Sequence, residues 1–223
     1  VARNIHDTFI APYCAEAIKV WYEDAHLLVI DKPSGLLSLS GKNPLNSDSV
    51  HARLLKQWPE ALMVHRLDFG TSGLIVVARS KIVATSLNRQ FQAKTIQKKY
   101  QAILSGILIK NEGEICAPIA RDDENFPKMK ISIEGKQATT RYRVIKRDEV
   151  QSTSRVEYTP ETGRTHQLRV HSAYIGHPII GCDIYGNEQT ENQASRLMLH
   201  ATQLCFTHPY SGEPLIFDSP SPF

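Results

Sequence analysis

Apolar residues in this chain fall into two rhythms. The sharper one is the unbroken run Leu74-Ile75-Val76-Val77-Ala78, a β-branched stretch after Gly73 that predicts a strand buried on both faces. Shorter runs, Val20 to Tyr22 and Leu27 to Ile30, flank the turn-forming Glu23-Asp24 and predict two more strands. Pro33 and Gly35 break the second of these, which leaves Lys32 at a strand end, where loop residues commonly do chemistry. Helical spacing takes over at Val50, Leu54, Leu55 and Trp58, behind the capping side chains of Ser47-Asp48-Ser49 and ahead of Pro59. Trp58 there reads as core rather than as a base-stacking platform. Ile82, Val83, Leu87 and Phe91 repeat the spacing behind Ser80.

A strand from Tyr100 to Leu104 follows, ending at Gly106. Residues 111 to 137 mix Asn, Glu, Asp, Pro, Lys and Gly around a short strand from Ile115 to Ile119, which predicts a mobile, charged insertion able to touch a substrate. Strands are expected at Thr139 to Ile145 and Arg155 to Tyr158. A helix is expected from near Thr165 to Gly176, with Pro178 just beyond and Arg169 one turn in. Arg196 to Phe206 and Pro214 to Phe217 supply the last strands, around the Pro209 to Gly212 turn. Residues 1 to 18 hold no sustained period and read as an extended arm packing on the body. With no repeat or low-complexity linker, the strand-rich pattern predicts one α+β domain over residues 19 to 223.

Composition is globular, with 41% hydrophobic and 22% charged residues, and no apolar run approaches the ~18 residues of a membrane span. The first residues lack the succession of a signal peptide, and the four cysteines are scattered without a Cys-x-x-Cys pair, which argues against a zinc site or a disulfide framework. A soluble protein of the reducing cytoplasm is expected. The net charge of +3 is mild, but its distribution is not: residues 66 to 110 carry eight basic side chains and one acid, Asp68, a local net charge of +7. Such a surface suits a polyanion held in a groove; a solvated helix face is the plainer reading.

That lone acid lies in His65-Arg66-Leu67-Asp68-Phe69-Gly70-Thr71-Ser72-Gly73. Nearby cations keep a carboxylate ionised, so Asp68 reads as a nucleophile or an electrostatic partner, or else as a turn cap ahead of Gly70. Two mimics fail. Gly35 to Lys42 has five residues between its glycines and Asn43 where a P-loop needs Ser or Thr, and Asp68-Phe69-Gly70 has no His-Arg-Asp triplet or Gly-x-Gly-x-x-Gly loop to make it a kinase motif. His65, His166 and His171 lack a compact metal-ligand arrangement, so no metal is expected.

The nonapeptide resembles the HRLDxxTSG signature of the RluA-type pseudouridine synthases at every fixed position. Asp31-Lys32-Pro33-Ser34-Gly35-Leu36 resembles that family's KPxGL motif, Lys98 to Ala102 the segment with its active-site Tyr, and Gly163 to His171 its third motif. Arg196 to Ala201 extends the match toward the C-terminus. The resemblance implies a mixed, largely antiparallel curved sheet with flanking helices and a central RNA-binding cleft. It implies isomerisation of uridine to pseudouridine in RNA, which needs no redox cofactor. The arm is too short for the S4-like domain that some members carry, so target choice would fall to the catalytic domain. The short members act on structured loops of large-subunit (23S) ribosomal RNA, transfer RNA, or both, which are the partners expected here, with monomer the default and no obligate protein partner.

By the same resemblance Asp68 is the catalytic carboxylate, attacking ribose or base covalently or assisting a glycal-type elimination. Tyr100 stacks on the target base and relays a proton, or is an ordinary strand-core Tyr. Arg169 pairs with Asp68, or binds phosphate. Leu168 forms an apolar pocket wall, and Thr71 and Ser72 bind loop backbone and fix the turn that aims Asp68. Arg66, next but one to Asp68 in the chain, is placed to fill the gap left by a flipped-out uridine, or else makes a surface phosphate contact or an ion pair. A non-catalytic RNA-binding protein is the alternative, but it gives no reason for a lone acid among cations, and a glycoside-cleaving hydrolase would need a second carboxylate that is not evident.

Overall fold

The computed structural model describes residues 9–223. Its first strands are β1 (Lys19–Glu23), β2 (Leu27–Lys32), β3 (Leu62–Met63) and β4 (Ser72–Ala78), with helices α1 (Val50–Leu54) and α2 (Lys81–Gln92) among them. Next come β5 (Gln97–Ser105), β6 (Glu112–Cys116), β7 (Ile119–Arg121), β8 (Met129–Ile131), β9 (Thr139–Asp148) and β10 (Thr153–Pro160). Helices α3 (Gln167–Tyr174) and α4 (Glu188–Asn192) precede β11 (Leu199–Thr207) and β12 (Pro214–Asp218).

One sheet runs β1-β2-β4-β11-β5-β10-β9-β6, with β3 beside β4 and β12 beside β11. Every pairing in it is antiparallel except β4 with β11. The mixed, largely antiparallel sheet matches the expected α+β architecture. The run from Leu74 to Ala78 is buried throughout, as its composition requires, because both faces are covered. Ile75 and Val77 pack with α1 residues Val50 and Leu54 and with Trp58 on one side. Leu74 and Val76 pack with α2 residues Val83 and Leu87 on the other. Each of these aliphatic side chains contributes roughly 1.5–3 kcal/mol by burial. Trp58 is core, as read, and donates its indole N–H to Glu23 at 2.7 Å.

The parallel seam depends on Gly73, whose φ is 115° and whose absent Cβ would lie 2.4 Å from the Ala201 carbonyl oxygen. Only glycine lets β4 and β11 approach there, so the last residue of the nonapeptide has a backbone job. Helix α3 covers the far half of the sheet, where its Leu168 packs against Ala102, Leu104, Val156 and Tyr158.

Several details differ from expectation. Helix α1 ends at Leu54 and continues only as turns to Trp58, since Pro59 leaves too little chain for another helical turn. Ile82 is 84% exposed despite its helical phase, because α2 meets the sheet through Val83 and Leu87. Residues 111 to 137 are not a bare loop: β6 extends the sheet along β9, and β7 and β8 form an antiparallel ribbon whose Ile119 packs with Ala138 and Val170. Residues 1–8 of the expected arm lie outside the described residues; from Phe9 onward it lies on the body, with Ala11 N–H donating to the Asn46 side chain at 2.8 Å and Phe9 edge-on to Phe69. No helix among the described residues is long and apolar enough to cross a membrane.

Candidate active site

Asp68 lies on the loop between β3 and β4, beside the parallel seam, and this loop is sewn to the Pro33–Ser38 loop by buried polar groups. Ser38 Oγ donates to the Leu67 carbonyl at 2.7 Å and accepts the Leu67 N–H at 3.1 Å, doing for Leu67 what a neighbouring strand would do. Ser34 Oγ donates to Gly70 O at 2.7 Å, and Gly35 N–H, at a left-handed φ of 74°, donates to Phe69 O at 3.0 Å. The fully buried Lys32 ammonium donates to the carbonyls of Pro33 (2.9 Å), Leu36 (2.6 Å) and Phe69 (3.0 Å), using all three of its protons to join the two loops. Burial lowers the Lys32 pKa to about 7, with the Asp68 charge pulling the other way. The resemblance marked Lys32 without giving it a task; a lysine closing an apolar strand was the available signal.

The turn itself is closed by the Thr71 N–H donating to Asp68 O at 3.1 Å. The expected bonds from the Thr71 and Ser72 side chains to loop backbone do not form. Ser72 points through the seam instead: its hydroxyl meets His200 Nδ1 at 2.7 Å and accepts from Arg196. In the register of β4 and β11 Ser72 lies opposite His200, so the nearest partners are side chains of the adjacent strand. His200 Nε2 is 3.0 Å from Ser219, which donates to Asp31, so this buried chain ties the C-terminal segment to β2.

Asp68 is about one-fifth exposed and opens into a cleft of about 1070 Å³. Tyr100, on β5, lines the same cleft, as do Arg66 and Leu168. Burial, reinforced by the Asp68 charge, pushes the Tyr100 phenol well above its ordinary range, so the hydroxyl stays protonated. Leu168 is buried and presents an apolar wall, while Arg66 is exposed. Cations dominate the lining: Arg66, Lys94, Lys98, Lys99, Arg164 and Arg169 against the carboxylates of Asp68 and Glu161.

Arg169 departs from expectation. Its guanidinium is bonded to Asp183, lies 3.3 Å from Cys182 Sγ and sits 5.4 Å over the Tyr185 ring; it forms no ion pair with Asp68. The chain after α3 returns past Arg169, so Asp183 and Cys182 reach the guanidinium before Asp68 does. Burial opposes the charge on Arg169, and Cys182, Asp183 and Asp68 outweigh it, holding the guanidinium protonated. Among the described residues the cationic or ionisable nitrogen nearest Asp68 is His166 Nε2, at 4.0 Å.

The remaining histidines serve separate ends. His65 Nε2 accepts the Val76 N–H at 3.0 Å, and burial, aided by the Lys98 charge, lowers its pKa to about 3. His171 bridges Thr140 Oγ1 and Ala117 O, both at 2.9 Å.

A loop-borne carboxylate and a protected phenol facing one cation-lined cleft suit chemistry on a base within a polyanion. Residues 26–174 match the family described as RNA pseudouridylate synthase. The chain belongs to that family. It is 48% identical over 205 residues to the dual-specificity RNA pseudouridine synthase RluA of Yersinia pestis, covering 92% of this chain and 99% of that one. It is 42% identical over 205 residues to the protein of the same name in Escherichia coli K12, covering 92% and 93%. The solved structure of human RNA pseudouridylate synthase domain containing 1 superposes with a TM-score of 0.79 at 31% identity, covering 95% of this chain and 86% of that one. The enzyme class implied by the motifs therefore holds: this is an isomerase of the pseudouridine synthase family, acting on uridine in RNA.

Proposed function

We propose that the chain isomerises a uridine in a structured loop of ribosomal RNA, transfer RNA, or both, with Asp68 as the catalytic carboxylate. The observation that carries this reading is the position of Asp68, about one-fifth exposed and sharing with Tyr100 a cleft lined by six cations. The dual specificity in the names of its relatives supports the pair of RNA classes. The reaction breaks the bond from C1′ to N1 of the base, turns the base and joins C1′ to C5; the proton lost from C5 is matched by one gained at N1, so atoms balance without a cofactor. Asp68 engages the ribose or base as the first bond breaks. Tyr100 lies against the base with its proton in place, Leu168 walls the pocket, and Thr71 fixes the turn through its backbone N–H, with Ser72 holding the seam behind it. Arg66, exposed at the cleft, fills the space of the flipped nucleotide. Arg169 acts through its charge, which reaches Asp68 without a direct bond. Residues 19–223 form the catalytic domain, in a cytoplasmic monomer that needs no protein partner.

Asp68→Asn keeps the size and removes the charge. It is expected to abolish tritium release from RNA labelled at uridine C5 while leaving RNA affinity and the folded state intact. Release near the wild-type rate would remove Asp68 from the chemistry.

A further inference from the structure

His166 is placed at some expense to the backbone. It is the N-cap residue of α3, yet its side chain makes no capping bond, and its φ of 55° lies in the left-handed region. Histidine is among the residues that tolerate that region, but such conformations persist only where the surroundings enforce them, and they cluster at functional sites. The surroundings here are a phenol and a carboxylate. His166 Nδ1 is 2.7 Å from the Tyr185 hydroxyl, and Nε2 is 4.0 Å from Asp68 Oδ2.

The hydrogen bonds fix which nitrogen carries the proton. Tyr185 Oη accepts the Met129 backbone N–H at 2.8 Å, and its own proton then points at Nδ1. Burial pushes the Tyr185 phenol up to about 12, so it remains a donor. Burial also lowers the His166 pKa, with the Asp68 charge opposing and Arg169, Asp183 and Arg66 adding smaller influences, so the imidazole is neutral near pH 7. A neutral ring that accepts at Nδ1 carries its hydrogen on Nε2, aimed at the carboxylate. At 4.0 Å this is an ion–dipole contact and not yet a hydrogen bond; catalytic bonds of this kind commonly tighten only when substrate is bound.

We propose that His166 is a positioning residue for the isomerisation: gripped by Tyr185, it donates its Nε2–H to Asp68 when a uridine occupies the cleft, and through Met129 it ties the β7–β8 ribbon to the catalytic carboxylate. The proposal rests on Asp68 being that carboxylate. It gives the ribbon a function at the site, because displacement of Met129 would release the phenol and let the imidazole proton move to Nδ1, away from Asp68.

Two substitutions separate donation from bulk. His166→Asn keeps a residue suited to the left-handed backbone and an amide near the Nδ1 position, but cannot reach Asp68. His166→Gln extends an N–H to the Nε2 position. With ribosomal and transfer RNA transcripts tritiated at uridine C5, His166→Asn is expected to slow single-turnover release about 10- to 100-fold, the equivalent of one hydrogen bond to a charged group. RNA affinity stays within about twofold because no phosphate contact is lost. His166→Gln recovers most of the rate, and Tyr185→Phe gives an intermediate loss. A wild-type rate in His166→Asn, or equal losses in Asn and Gln with equal thermal stability, overturns the proposal. If both His166 variants are destabilised, Tyr185→Phe decides, and an unchanged rate there overturns it. Asp68→Asn, run alongside, fails separately: activity in that variant strikes the underlying reading, whereas an inactive Asp68→Asn beside a fully active His166→Asn strikes only this inference.

Discussion

The two walls of the cleft are built differently. On the Asp68 side the backbone from Leu67 to Gly70 is held by Ser38, Ser34, Gly35 and Lys32, side chains and amides that are mostly buried and bonded to loop carbonyls. On the α3 side Arg169 is bonded to Asp183, whose side chain is 62% exposed, and His166 stands at a left-handed backbone. Buried, saturated bonds exclude competing water, whereas an exposed carboxylate can be exchanged for solvent or another anion at little cost. The loop that carries Asp68 is thus fixed through its backbone, whereas the bond of Arg169 is open to exchange on its Asp183 side.

Ser38 is the side chain on which the Asp68 wall depends most. Ser38→Ala leaves the buried N–H and C=O of Leu67 without partners, which should cost about 2–4 kcal/mol of unfolding free energy at about 1–2 kcal/mol per group. Urea unfolding measures it, and a cost under about 0.5 kcal/mol, the range of an ordinary surface substitution, would show that the loop is not held this way. Arg169→Met tests the other wall. It should lower the single-turnover rate about 10- to 100-fold, by removing a cation whose field reaches Asp68, with a smaller effect on RNA affinity. A loss confined to affinity would assign Arg169 to phosphate.

His65 sharpens the contrast through pH. Its folded pKa of about 3 lies below its ordinary value of 6.5, so between those limits the unfolded chain binds a proton that the folded chain refuses. Stability therefore falls as pH drops from 6.5 toward 3, by at most about 1.4 kcal/mol per pH unit from this residue. His65→Gln should flatten that part of the pH–stability curve, and an unchanged slope would assign the acid sensitivity elsewhere. The smallest effect belongs to Asp183→Asn. Because Asp183 is largely exposed, its loss should change stability by less than about 1 kcal/mol. A cost equal to that of Ser38→Ala would make the two walls equally rigid.

What the chain announced locally, the structure kept. The run at Leu74 to Ala78 became β4, the Ser80 cap opened α2, and the turn residues around Asp68 placed it on a loop ahead of a buried strand. These are short-range outcomes of side-chain spacing and turn chemistry. The motif order also led to the family and to the cleft that Asp68, Tyr100, Arg66 and Leu168 share.

Partner choice was a different matter. Ser38 meets Leu67 across 29 residues, Ser72 meets His200 across 128 and Ser219 meets Asp31 across 188. No periodicity reports such pairs, because a hydroxyl or guanidinium satisfies itself with whatever acceptor the sheet order brings within reach. Local spacing and turn chemistry were enough for most of the elements, the loop position of the lone carboxylate and the cationic character around it. Long-range packing set the rest: Arg169 meets Asp183, Ser72 looks through the seam, Lys32 gives its three protons to loop carbonyls, and Tyr185 holds His166 Nδ1. Spacing along a strand or helix sets which face a side chain occupies; what it meets there depends on where the distant chain returns.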